Sequence, residues 1–147
     1  MPPVSLRTAR LVLDRPSPDD VDVITLAGQD PPFERYPTIP WPNARDHAGL
    51  GSWAAAPHRG QGFMAEAVRA GVDRAFDLAW PTVTWQALVG DHAAAATARN
   101  VGLAFAGIGP GVLPRRDGST SIRRHRAVTP ETDPAAARSS WPAETCA

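Results

Sequence analysis

The sequence predicts an α/β fold, on three observations. Residues 64–78 place apolar side chains at Met64, Ala67, Val68, Gly71, Val72, Ala75 and Phe76, the spacing of one buried helical face. Residues 51–56 and 82–89, on either side, each read as a short strand. Between the first strand and the helix runs His58-Arg59-Gly60-Gln61-Gly62-Phe63, a glycine loop that opens straight into the helix.

At 147 residues the chain is one domain, long enough to bury a core. Its formal charge is zero, so no general pull toward nucleic acid or a membrane surface follows. All 15 basic residues are arginine; with so much alanine and proline this reads as a GC-rich coding bias. Cys146 stands alone, so no internal disulfide forms. No apolar run reaches the roughly 18 residues that span a bilayer, and Met1-Pro2-Pro3-Val4 does not open a signal peptide. The expectation is a soluble cytoplasmic protein.

The elements follow in order. Residues 6–15 alternate around Leu11 and Leu13 and predict a first strand. Ser17-Pro18-Asp19-Asp20 is a helix start: Ser17 caps, Pro18 suits the first helical position, and the acids suit the dipole. A short helix over 21–27 then ends at Gly28. Residues 31–42 are a proline-dense loop whose Phe33, Tyr36, Ile39 and Trp41 read as cover over an open core edge. Asn43 caps a second helix start.

Beyond the central helix, Phe76 to Pro81 is a stop and residues 82–89 a strand. Gly90-Asp91 leads to an alanine-rich helix over 92–101, closed by Gly102-Leu103. Residues 103–112 are a weak apolar run broken by Gly107, Gly109, Pro110 and Gly111. Asp117-Gly118 marks a hairpin turn, and residues 119–128 read as the last strand. Arg115, Arg116, Arg123, Arg124 and Arg126 cluster there. They read as a solvated face rather than a nucleic-acid contact, because no aromatic residues interleave to stack on bases. Residues 129–147 hold little to bury and read as a disordered tail.

The glycine loop carries the chemistry. Gly60 and Gly62 let the backbone bend sharply and approach a ligand. The first N–H groups of the helix lack internal partners and sit at the positive end of its dipole. With Arg59 beside them, they form a candidate phosphate cradle. A glycine-rich turn into a core helix is the competing reading. Elsewhere His47, His58, His92 and His125 show no paired metal-ligand spacing, and Ser5, Ser17 and Ser52 have no nucleophile-elbow context.

Residues 53–76 resemble the acetyl-coenzyme A binding core of the GNAT N-acetyltransferases, most of all the branch that acetylates ribosomal-protein N-termini and related amines. That family's signature is Gln/Arg-x-x-Gly-x-Gly/Ala, and Arg59-Gly60-Gln61-Gly62-Phe63-Met64 occupies it, with Met64 where the family has a small residue. Glu66-Ala67 after the loop and Leu6-x-Thr8-x-Arg10-Leu11-x-Leu13 near the start are also similar to this branch. So is Arg35-Tyr36 with Trp41-Pro42, which resembles the acceptor-side loop.

The resemblance implies a mixed, mostly antiparallel sheet flanked by helices, in a domain over 1–128 ahead of the tail. The domain is shortened in the middle: two family strands have no room near 48–50. It implies acetyl-CoA as co-substrate, without a metal. The pyrophosphate falls to Arg59, Gly60, Gln61, Gly62, Phe63 and Met64, and the thioester carbonyl to backbone N–H groups of Trp53, Ala54 and Ala55. Asp91 and Ala94 stand where the family has a coenzyme-contacting asparagine and serine, and Asp91 suits a helix cap. The helix over 92–101 lacks the tyrosine that many members use as the acid, and no catalytic residue is named. The implied function is transfer of acetyl to a primary amine, on a protein N-terminus or a small molecule. The alternative is a degenerate relative that binds the coenzyme or a partner without turnover. Neither nucleic acid nor membrane is expected as a partner, and a homodimer is open.

Overall fold

A computed structural model describes residues 5–29, 48–49, 52–110, 122–128 and 132–143. The expected aromatic loop over 31–42, the helix start at Asn43, the turn at Asp117-Gly118 and the arginines Arg115 and Arg116 lie outside the described residues.

The first ten described residues form two short strands, β1 (Leu6–Arg7) and β2 (Val12–Leu13), paired antiparallel. This corrects the single strand expected over 6–15. The chain turns at Thr8, whose Oγ1 accepts the Leu11 N–H at 2.9 Å and whose own N–H donates to the Leu11 carbonyl at 3.0 Å. A threonine hydroxyl that bonds nearby backbone offers such a turn in place of a ladder.

A 3-10 turn, Pro18–Asp20, then leads into helix α1 (Val21–Gly28). The expected cap is present. Asp20 reaches back to accept the Ser17 N–H at 2.7 Å and the Ser17 hydroxyl at 2.8 Å, and these bonds lower its pKa.

The main sheet has four strands in the order β3-β4-β6-β5: β3 (Ala48–Gly49), β4 (Val83–Leu88), β5 (Ala104–Pro110) and β6 (Ile122–Val128). β3 is parallel to β4, with Ala48 opposite Val83 and Gly49 opposite Thr84. β6 is antiparallel to β4 and to β5. The expected strand over 51–56 is corrected: residues 52–55 carry no ladder, and the strand beside β4 is Ala48–Gly49. The carbonyls that a ladder would use at Ala54 and Ala55 are held instead by the Arg59 side chain at 2.9 Å and the His58 N–H at 2.9 Å.

β5 runs through Gly107 and Gly109, two of the glycines that make 103–112 look broken. Gly107 takes φ +111° within a register shift between Phe105 and Ile108. β5 is the outer strand of the order, where Pro110, with no N–H to donate, is tolerated.

Helices α2 (Phe63–Asp77) and α3 (His92–Asn100) pack on this sheet. The predicted stripe of α2 is the buried one: Val68, Val72 and Ala75 join Val83 and Trp85 of β4 and Ala95, Ala98 and Leu103 in one core. Both helices end in the same motif. Leu103 N–H bonds the Ala98 carbonyl and Gly102 N–H that of Arg99, with Gly102 at φ +85°. After α2, Trp80 N–H bonds Ala75 and Ala79 N–H bonds Phe76, but the left-handed residue is an alanine, Ala79, at φ +59°.

The expected tail is also corrected. Residues 134–139 form helix α4 (Pro134–Ser139), capped by Asp133, whose carboxylate accepts N–H groups of Ala135 and Ala136. Ala137 and Trp141 are buried, and Trp141 completes the core beside Leu103 and Phe105.

Candidate functional site

The glycine loop is shaped by its own backbone. Residues 56–58 make a 3-10 turn, in which the Arg59 N–H donates to the Ala56 carbonyl at 3.3 Å. Gln61 Nε2 donates to the Pro57 carbonyl at 3.0 Å, and Arg59 Nε folds back to Ala54. Gly60 and Gly62 stand at φ +72° and +78°, in the left-handed region that side chains disfavour. A Cβ at Gly60 would meet nothing within 4 Å, so conformation, not space, demands glycine there.

Gly62 is the N-cap of α2, and its carbonyl accepts the Glu66 N–H at 3.1 Å. The N–H groups of Phe63, Met64 and Ala65 precede that bond and have no acceptor within the helix. Such an end attracts anions.

The first turn of the chain docks beside it. Glu66 Oε1 accepts the Thr8 hydroxyl and the Arg10 N–H, the latter at 2.9 Å, while Oε2 accepts Arg10 Nε at 2.7 Å. Arg10 Nη1 goes on to the Gln61 carbonyl at 3.0 Å, and the guanidinium lies 4.7 Å from the Phe63 ring centre. These donors, the Thr8 hydroxyl first, then the Arg10 N–H and side chain, hold the Glu66 carboxyl down to about 2. The sequence predicts a strand through Thr8 and Arg10 and places Glu66 just after the loop, and nothing within any one segment says that the three meet there. The only sign was that both segments resemble one branch.

On the other side of the α2 start lies a cavity of about 530 Å³, walled by Trp53, Ala54, Ala55, Phe63, Met64 and Ala67 together with Leu11, Val23, Ile24 and His58. Among its lining residues His58 alone is ionisable. The N–H groups of Ala54 and Ala55 make no hydrogen bond among the described residues. The structure thus brings Trp53, Ala54, Ala55, Phe63 and Met64 around one space. Arg59, Gly60 and Gln61 stand exposed on the loop, and Gly62 faces the Arg10 side. Asp91 lines neither space: its carboxylate caps α3 by accepting the Ala94 N–H at 2.9 Å.

The described β3–β4 pairing sets Ala48 and Gly49 beside Val83 and Thr84, and residues 52–55 are unladdered backbone leading into the glycine loop. Residues 41–104 match the GNAT acetyltransferase domain. The fold is that of the GNAT acetyltransferases.

Solved structures with the GNAT fold agree. Mycobacterium smegmatis RimJ, in complex with CoA-disulfide, is 23% identical at a TM-score of 0.53, covering 60% of this chain and 43% of that one. The ribosomal alpha-N-protein acetyltransferase RimL, in complex with coenzyme A, is 19% identical at 0.51, covering 60% and 50%. The microcin self-immunity acetyltransferase MccE, in complex with acetyl-CoA and AMP, is 18% identical at 0.50, covering 57% and 47%. The chain spans about half the length of each. No curated protein gives a match. Among the described residues no helix is long and apolar enough to cross a membrane.

Proposed function

We propose that the loop and the start of α2 bind the pyrophosphate of acetyl-CoA, and that the chain transfers the acetyl group to a primary amine in the cytoplasm. The observation that carries this is the junction at Gly62. Two left-handed glycines deliver three N–H groups without helical acceptors to the edge of an apolar cavity. The donors fit a diphosphate: they are backbone N–H groups, so they add no side-chain bulk and sit at a dipole's positive end.

The coenzyme supplies the activated thioester. The residues of this chain do the rest. The amides of Ala54 and Ala55, which make no hydrogen bond among the described residues, would donate to the thioester carbonyl oxygen, the kind of stabilisation that acyl transfer draws on most. Leu11, Val23 and Ile24 give the space an apolar lining on the α1 side. The likeness to RimL, a ribosomal alpha-N-protein acetyltransferase, supports an amine on a protein N-terminus as acceptor.

A second reading is favoured by one observation. Among the described residues the cavity lining holds one ionisable group, the exposed His58, and Asp91 caps α3. A relative that binds the coenzyme but turns it over weakly fits that poverty of acid and base. Calorimetry with coenzyme A, followed by thiol release with peptides beginning in alanine, serine or methionine and with polyamines, separates the two. Gly62→Asp puts a negative charge in the cradle and should abolish coenzyme binding. Equal binding by that variant would remove the site.

A further inference from the structure

We propose that Arg10 is a positioning residue for the phosphate cradle: anchored on Glu66, it holds the Gln61 carbonyl and thereby sets the loop that aims the first N–H groups of α2. The proposal rests on the coenzyme-binding reading of that loop. It adds a part of the chain, the Thr8–Leu11 turn, that the glycine signature does not contain.

A loop with two glycines in the left-handed region does not hold its own shape, because glycine is the residue with most freedom to lose. The bonds from His58 N–H, Arg59 Nε and Gln61 Nε2 all tie residues 54–61 to one another. None of these bonds crosses Gly62, the hinge between the loop and the helix. Among the described residues, the side chain that bridges the hinge is Arg10. Its Nη1 takes the Gln61 carbonyl, its Nε takes Glu66 one turn into α2, and its plane lies over Phe63. A Cβ built on Gly62 would sit 3.4 Å from Nη2, so the guanidinium lies directly alongside the hinge residue.

Glu66 is an anchor rather than a passing partner, because both of its oxygens are taken. Oε1 is held by Thr8 and the Arg10 N–H, Oε2 by Arg10 Nε. Arg10 reaches the two acceptors, on different elements, from two nitrogens held at a fixed spacing by the planar guanidinium. A lysine ammonium carries the charge but not the fork. The Arg10 side chain is 49% exposed, and exposed pairs contribute little to global stability. The effect of the clamp is therefore local to the hinge.

The test uses the full chain with Arg10→Ala, Arg10→Lys, Glu66→Ala and the Arg10→Ala/Glu66→Ala double variant. Two quantities are read: the coenzyme A dissociation constant, and hydrogen exchange at the Glu66 amide of the ligand-free protein. Each single variant should weaken coenzyme A binding and speed that exchange by about tenfold, with the double no worse than the poorer single. Melting temperatures should stay within a few degrees, and Lys should behave as Ala. If Arg10→Ala does not fold, Thr8→Val loosens the anchor more gently and should move both readouts the same way. Restoration by Lys would make the effect one of charge and overturn the proposal, as would unchanged exchange or additive losses. Wild-type protein that fails to bind coenzyme A, while the exchange changes hold, would remove the coenzyme reading and leave the clamp.

Discussion

The indole Nε1 of Trp141 donates to the carbonyl of Leu103 at 2.9 Å, across 38 residues of sequence. Leu103 is fully buried and lies just past the end of α3, so this bond fastens the last described helix to the middle of the core. The Ser140 hydroxyl adds a bond from the Phe105 N–H at 2.7 Å. Trp141→Ala should lower stability by about 3–5 kcal/mol, the range for removing a buried aromatic side chain. Trp141→Phe should recover part of that loss but leave the Leu103 carbonyl unbonded. Urea unfolding measures both, and a midpoint unmoved in Trp141→Ala would mean that α4 does not dock.

Ala79 gives a prediction of opposite sign. It occupies at φ +59° the left-handed position that Gly102 fills in the otherwise identical motif after α3. Relief of that strain, about 1–2 kcal/mol, exceeds the roughly 0.4–1 kcal/mol that a glycine's extra unfolded-state freedom costs. Ala79→Gly should therefore raise the melting temperature slightly. A fall would show that the alanine methyl packs favourably.

Met64 stands where the GNAT signature has a small residue. It is half-buried, packs against the core cluster and lines the cavity. Met64→Ala should cost about 2 kcal/mol, the low end for such truncations. Coenzyme A affinity should hold within about twofold, because the backbone N–H of residue 64 is kept. Tighter binding in calorimetry would mean instead that the thioether crowds the phosphates.

Glu66 predicts an acid response. Its pKa falls from 4.5 to about 2 on folding. The unfolded chain therefore binds that proton more tightly, and the contribution is complete above about pH 4.5 and is lost as pH falls toward 2. The melting temperatures of wild type and Glu66→Gln should differ by a constant amount above pH 4.5 and converge in the acid limb. A difference that persists at pH 2 would assign the effect to packing.

Much of this was legible in the sequence, for local reasons. The stripe from Met64 to Phe76 has to face a core, whatever that core is. Gly60 and Gly62 ask for left-handed backbone, Asp91 before the alanines for a cap, and Gly102 for a helix end. Each is decided within a few residues, so α2, α3, β4 and the glycine loop stand where the pattern put them. Tertiary structure decided the rest. Residues 103–112 look too glycine-rich for a strand, yet β6 supplies the ladder and the outer position of β5 excuses Pro110. Residues 52–55 look like a strand, yet Arg59 and His58 claim the carbonyls of Ala54 and Ala55. Residues 132–143 look too polar to fold, yet Trp141 finds Leu103. Thr8, Arg10 and Glu66 meet across more than fifty residues. Composition and period carry no information about such a meeting, because they describe what each segment can do and not which segment it touches.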